Sequence, residues 1–113
     1  MNARWCRRKG IEFELEVRRR LAGVFGEQQV RRILQRPGAM AVPDVVAPGL
    51  VIECKAGKAT NPRAALRHAM READGRRGVP IAVCEDDRQR ATVTMHFDDF
   101  IALLREWLEQ QLQ

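Results

Sequence analysis

Apolar residues Ile11, Leu15, Val17, Leu21, Val24 and Phe25, with Phe13 beside them, recur near helical spacing. Glu12, Glu14, Glu16 and Arg18 to Arg20 fill the other faces. This spacing predicts a first helix with acids in its early turns and arginines in its late ones, the order that the helix dipole favours. Val30 to Arg36 reads as a short strand stopped by Pro37-Gly38. Two β-prone runs follow, Val42 to Ala47 and Leu50 to Lys55, flanking Pro48-Gly49. Proline then glycine suits the centre of a type II turn. A loop centred there pairs residues whose numbers sum to 97, so Val46 faces Val51, Val45 faces Ile52 and Asp44 faces Glu53.

Asn61 as N-cap with Pro62 at the first helical position starts a second helix. Its apolar face is Ala65, Leu66, Ala69, Met70 and Ala73, with a stripe of Arg63, Arg67 and Arg71 beside it. Gly75 to Gly78 ends it. Val79 to Cys84 reads as a buried strand and Ala91 to His96 as another, with Glu85-Asp86-Asp87 as the turn between them. Asp98 or Asp99 is the expected cap of a last helix, whose stripe is Phe100, Leu103, Leu104, Trp107 and Leu108. The expected order is α-β-β-β-α-β-β-α, an α/β fold with a mixed sheet flanked by helices. At 113 residues the chain is expected to form a single domain, residues 1–113, with 1–7 and 110–113 as flexible ends.

Charge changes the picture once it is divided along the chain. Residues 1–77 carry 17 basic and 8 acidic side chains, whereas residues 78–113 carry 3 and 7, so the net +5 conceals a basic part of +9 and an acidic part of −4. Of the 20 basic residues 17 are Arg, whose planar fork suits phosphate oxygens. A basic face of this kind favours a polyanion. No apolar run approaches the roughly 18 residues of a membrane span, and the opening MNARWCRRKG lacks a signal peptide's apolar stretch. Cys6, Cys54 and Cys84 form neither a disulfide framework nor a CxxC clip, as suits a reducing cytoplasm. The expectation is a cytoplasmic protein with no membrane contact.

Strand alternation puts Val51, Glu53 and Lys55 on one face and Leu50, Ile52 and Cys54 on a second, core-like face. In the expected register Asp44 lies opposite Glu53, and two facing carboxylates repel unless a cation sits between them. A hard ion such as Mg²⁺ takes carboxylate oxygens, and Lys55 is near enough to share the site. In a chain that elsewhere prefers Arg, position 55 holds the cation that approaches a phosphate as a point charge. The plain alternative makes Glu53 and Lys55 solvated strand residues and Asp44 a turn residue.

Pro43-Asp44, eight intervening residues and Glu53-Cys54-Lys55 resemble the motif of the PD-(D/E)XK nuclease superfamily. The segment Arg8-Lys9-Gly10-Ile11-Glu12-Phe13-Glu14-Leu15-Glu16 resembles the first helix of archaeal-type Holliday junction resolvases and their phage relatives. The resemblance implies a restriction-endonuclease-like core and a Mg²⁺-dependent DNA endonuclease, with Mn²⁺ able to substitute. Its catalytic set would be Glu14, Asp44, Glu53 and Lys55, with Glu12 and Glu16 as alternatives to Glu14. Asp44, Glu53, the backbone carbonyl of Cys54 and Glu14 would bind the metal. Arg8, Lys9, Arg31, Arg32, Arg36, Lys58, Arg63, Arg67 and Arg71 would hold the DNA backbone, contacts that position without reading sequence. Symmetric cutting of a junction would call for a homodimer. Arg67 and His68 stand where the family often has Gln, and Gly38-Ala39-Met40 where resolvases often have Ser or Thr. The competing hypothesis is a non-catalytic DNA-binding or assembly protein on the same fold.

Overall fold

The structure is a computed structural model, and it describes residues 3–34 and 42–113. Helix α1 (Ala3–Phe25) leads through a 3-10 turn to strand β1 (Arg31–Arg32). The hairpin strands β2 (Val45–Ala47) and β3 (Leu50–Gly57) follow, then helix α2 (Pro62–Ala73). Strands β4 (Val79–Asp86) and β5 (Thr92–Thr94) and helix α3 (Phe97–Gln111) complete the order. This is the element order that the sequence pattern implies, and the architecture is α/β.

One five-stranded mixed sheet runs β1-β2-β3-β4-β5. Among the described residues only β3 and β4 are parallel, with Leu50 beside Val79 and Gly57 beside Asp86. The hairpin takes the register expected from Pro48-Gly49, with Val45 opposite Ile52 and Val46 opposite Val51. Gly49 supplies the positive φ of 78° that the turn requires. At Asn61 the expected N-cap is present, its side chain accepting from the Ala64 amide at 3.1 Å.

Side-chain alternation along β3 separates two cores. Ile52 and Cys54 join Phe13, Val17 and Ala22 of α1, with Val30, Val45 and Ile81, on one face. On the other, Ala65 and Leu66 of α2 pack with Ala82 and Cys84 of β4. The face carrying Glu53 and Lys55 is therefore the face that α2 covers.

Four elements differ from expectation. Helix α1 begins at Ala3, so its first turn holds no acid and its last turn no base, and the expected dipole order is not met. The strand before the hairpin is two residues long; Arg36, with the rest of residues 35–41, lies outside the described residues. Glu85 and Asp86 continue β4 rather than turning, because Asp86 accepts from both the amide (2.9 Å) and the hydroxyl (2.6 Å) of Thr60. The N-cap of α3 is His96, with Asp98 and Asp99 inside the first turn, so neither acid caps the helix. Helix α3 also buries none of its residues; Phe100, Leu103, Leu104, Trp107 and Leu108 are exposed.

Candidate functional site

The hairpin brings Asp44, Glu53 and Lys55 together, although not by simple strand pairing. The ladder stops at Val45 and Ile52, and Asp44 sits in a bend just before it. There its amide donates to the Ile52 carbonyl at 3.0 Å, so the backbone does not bring Asp44 directly across from Glu53. The bend turns the Asp44 side chain toward β3 instead, where Oδ2 accepts from the Cys54 amide at 2.8 Å. Glu53 is 4% exposed and Asp44 7%. Lys55 reaches back along its own strand, Nζ 3.3 Å from Glu53 Oε1, and remains half exposed. The Cys54 side chain points into the α1 core, so its thiol is not at the site; burial first, then the nearby carboxylates, raise its pKa.

Among the three glutamates of α1, Glu12 and Glu16 are taken up by exposed pairs with Arg8 and Arg19. Glu14 alone of the three is close enough to the hairpin acids to raise the pKa of Asp44. It is held there by Arg32 of β1, Nε to Oε1 2.8 Å, in a pair that is largely sheltered from solvent.

Sequence reasoning missed Glu72. It lies on the buried face of α2 with Ala65, Leu66 and Ala69, and is 8% exposed. An acid in phase with an otherwise apolar helix face was the available signal. Burial first, and then the adjacent Glu53 carboxylate, push its pKa up to about 9. A proton kept on Glu72 limits the repulsion between two buried carboxyl groups that stand together. His68, one turn earlier, is exposed and lines a depression of about 250 Å³ with Lys55, Asn61 and Ala64.

The site is short of positive charge. Asp44 is pushed up to about 7, chiefly by burial and further by Glu53 and Glu14, against the opposing effects of the Cys54 amide and Lys55. Among the described residues Glu53 Oε2 and Glu72 Oε2 are buried without a hydrogen-bond partner. Orphaned oxygens of this hardness suit a cation such as Mg²⁺. Among the described residues, no group of three or more His, Cys, Asp and Glu is already arranged to hold an ion. Asp44 and Glu53 fit such an ion by chemistry, whereas Glu14 would have to leave Arg32 to join them.

The basic residues are dispersed around this centre. Arg63, Arg67 and Arg71 are exposed on the outer side of α2, and Lys58 is exposed just beyond β3. Arg31 lines a depression at the β2–β3 turn with Arg76 and Arg77, two arginines not singled out from the sequence. Arg8 pairs with Glu12, and Lys9 contacts Asp87.

No protein-family model matches the chain, and no curated protein matches it. Among solved structures it is similar to Hjc, a Holliday junction resolvase from the archaeal hyperthermophile Archaeoglobus fulgidus. The match has a TM-score of 0.60 at 19% identity and covers 76% of each chain. The chain therefore has the nuclease-like fold of an archaeal Holliday junction resolvase.

Proposed function

We propose that this chain is a Mg²⁺-dependent endodeoxyribonuclease that hydrolyses phosphodiester bonds in branched DNA, acting as a homodimer in the cytoplasm, or in a host's cytoplasm if it is phage-encoded. The observation that carries the proposal is the meeting of Asp44, Glu53 and Lys55 on one hairpin of a resolvase-like fold. Asp44, Glu53 and the Cys54 carbonyl would hold the ion, with Glu14 joining on release from Arg32. Bound there, Mg²⁺ would supply Lewis-acid polarisation of the scissile phosphate and a lower pKa for the attacking water. Mn²⁺, with the same oxygen preference, should substitute.

The chain's own residues do the rest. The Cys54 amide fixes the rotamer of Asp44. Glu72 keeps a proton against Glu53 and so limits repulsion between them. Lys55, anchored beside Glu53 yet half exposed, meets the charge that builds on the phosphate oxygens. The exposed Arg63, Arg67 and Arg71, with Lys58, attract the backbone and set no sequence preference. Among the described residues no helix is long and apolar enough to cross a membrane.

The test is a panel of linear, nicked, single-stranded and four-way-junction DNA, each with Mg²⁺, Mn²⁺ or EDTA. Metal-dependent cutting, strongest on the junction and lost in Asp44→Ala and Lys55→Ala, is expected. Binding without cutting on every substrate would refute the enzyme in favour of a DNA-binding or assembly protein.

A further inference from the structure

Helix α3 and the groove on the α1 side of the sheet are both apolar, yet among the described residues they do not pack extensively against one another. The apolar stripe of α3 holds Phe97 at 75% exposure and Trp107 at 58%, with Phe100, Leu104 and Leu108 in phase between and beyond them. Among the described residues, α3 packs extensively against no other helix or strand. The molecule is accordingly long, 52 × 32 × 27 Å, with a radius of gyration of 14.6 Å against about 13 Å for a compact chain of this length.

On the α1 side of the sheet runs a groove of about 490 Å³ lined by Val17, Leu21 and Val24 of α1, Ile81 and Val83 of β4, and Val93 of β5. Val24 is 78% exposed and Val93 62%. None of the groove's lining residues comes from α3. The chain thus exposes an apolar helix and, separately, an apolar trough.

We propose that α3 of one copy seats its stripe in the α1–β5 groove of a second copy, and that the exchange is reciprocal. This names the contact behind the two-copy reading above and rests on that reading. Two arguments select a second copy as the occupant. The stripe exposes on the order of 600 Å² of apolar surface, taking ~150–250 Å² for a buried aromatic side chain. Monomers rarely present so large a patch. Two such helices with their grooves remove roughly 2,000 Å² from water, the range of a stable dimer. Finally, a reciprocal exchange is a closed two-fold contact in which each copy gives and receives the same element, so no trough or stripe is left to nucleate open chains.

The experiment uses the full chain with Cys6→Ser; Cys54 and Cys84 are buried and spared by a thiol reagent. A Val24→Cys, Leu104→Cys double variant is treated with a short bismaleimide and read on a reducing gel, while light scattering on the untreated protein gives its mass. A dimer by scattering and a dimer-mass crosslinked band are expected, with neither single variant crosslinking. A crosslinked band at monomer mobility, meaning that α3 closes on its own groove, overturns the proposal. A dimer that resists crosslinking, or one in which Leu104→Cys alone crosslinks, overturns the groove contact and leaves the two-copy reading standing. A monomer by scattering overturns both, and the cleavage panel still judges the chemistry independently. Trp107→Asp, on a face that the isolated fold does not bury, should weaken the dimer by at least ~100-fold, as for an aromatic hot spot, with an unchanged circular dichroism spectrum. An unweakened Trp107→Asp dimer refutes the role given to the stripe.

Discussion

Replacing Asp44 with Asn removes a buried ionisable group while keeping an oxygen that can accept from the Cys54 amide. The carboxyl's pKa is raised from 3.8 to about 7 by burial and by Glu53 and Glu14. A raised carboxyl pKa means that the folded chain keeps a proton the unfolded chain has lost. Its stabilising share is therefore complete below pH 3.8, is lost progressively as pH rises toward 7, and does not change further above that. Three pKa units at about 1.4 kcal/mol each set a ceiling of about 4 kcal/mol. The Asn amide still has to be buried at this position, so about 2 kcal/mol is the expected gain. For a chain of this length, that corresponds to a melting point roughly 8 °C higher. The assay is thermal unfolding in EDTA from pH 4.5 to pH 8, followed by circular dichroism. The advantage of Asp44→Asn should be small at pH 4.5 and open steadily to pH 7. Adding Mg²⁺ at pH 8 should raise the wild type more than the variant, because the cation relieves the same crowding. Parallel pH profiles for the two proteins would refute the electrostatic account of the site.

Lys55→Ala should lower the cleavage rate by at least ~100-fold, the scale of losing one transition-state charge contact, while junction affinity in Ca²⁺ stays within a few-fold. An equal loss of binding would make Lys55 a binding residue instead. Gly78→Ala should cost roughly 1–3 kcal/mol in urea unfolding, because φ at Gly78 is 153° and a Cβ there would lie 2.9 Å from Val51 Cγ2 and 3.3 Å from the Leu50 backbone. An unchanged urea midpoint would show that β3 and β4 can separate to admit it. Asn61→Ala should cost about 1 kcal/mol through the lost cap on α2, measured the same way, and Asn61→Asp should restore most of it.

The parts of the fold that were legible in the sequence are those set by neighbours in the chain. Pro48-Gly49 fixes the hairpin register to the residue, and Asn61-Pro62 fixes the start of α2, because turn and cap chemistry act over three or four residues. The motif residues could be placed on one hairpin for the same reason. Legibility fails where a second element decides. Thr60 holds Asp86 in β4, so an acidic run that looks like a turn becomes strand. The bend at Asp44 departs from strand alternation because its carboxylate is captured by the Cys54 amide. The phase of α2 marks Glu72 as an acid on an apolar face, but its meeting with Glu53 depends on how α2 docks on β3. The stripe on α3 was evident from spacing, but spacing says only that a face is apolar, not that its own fold leaves it uncovered.

Strand β3 has one neighbour that is local and one that is not, and this divides the order of folding from the order of titration. Its hairpin with β2 closes around a short turn, whereas its parallel pairing with β4 waits for the whole α2 crossover. Short loops close first, because they lose the least entropy before contacts form. Asp44 and Glu53 are thus brought together by the most local pairing of β3, and Glu72 arrives only when α2 docks. Alkaline pH should then act on the two acids at different moments, with ionised Asp44 slowing refolding and ionised Glu72 mainly hastening unfolding. A chevron series across pH 6 to pH 10 would display that split as a folding limb that moves first and an unfolding limb that moves later.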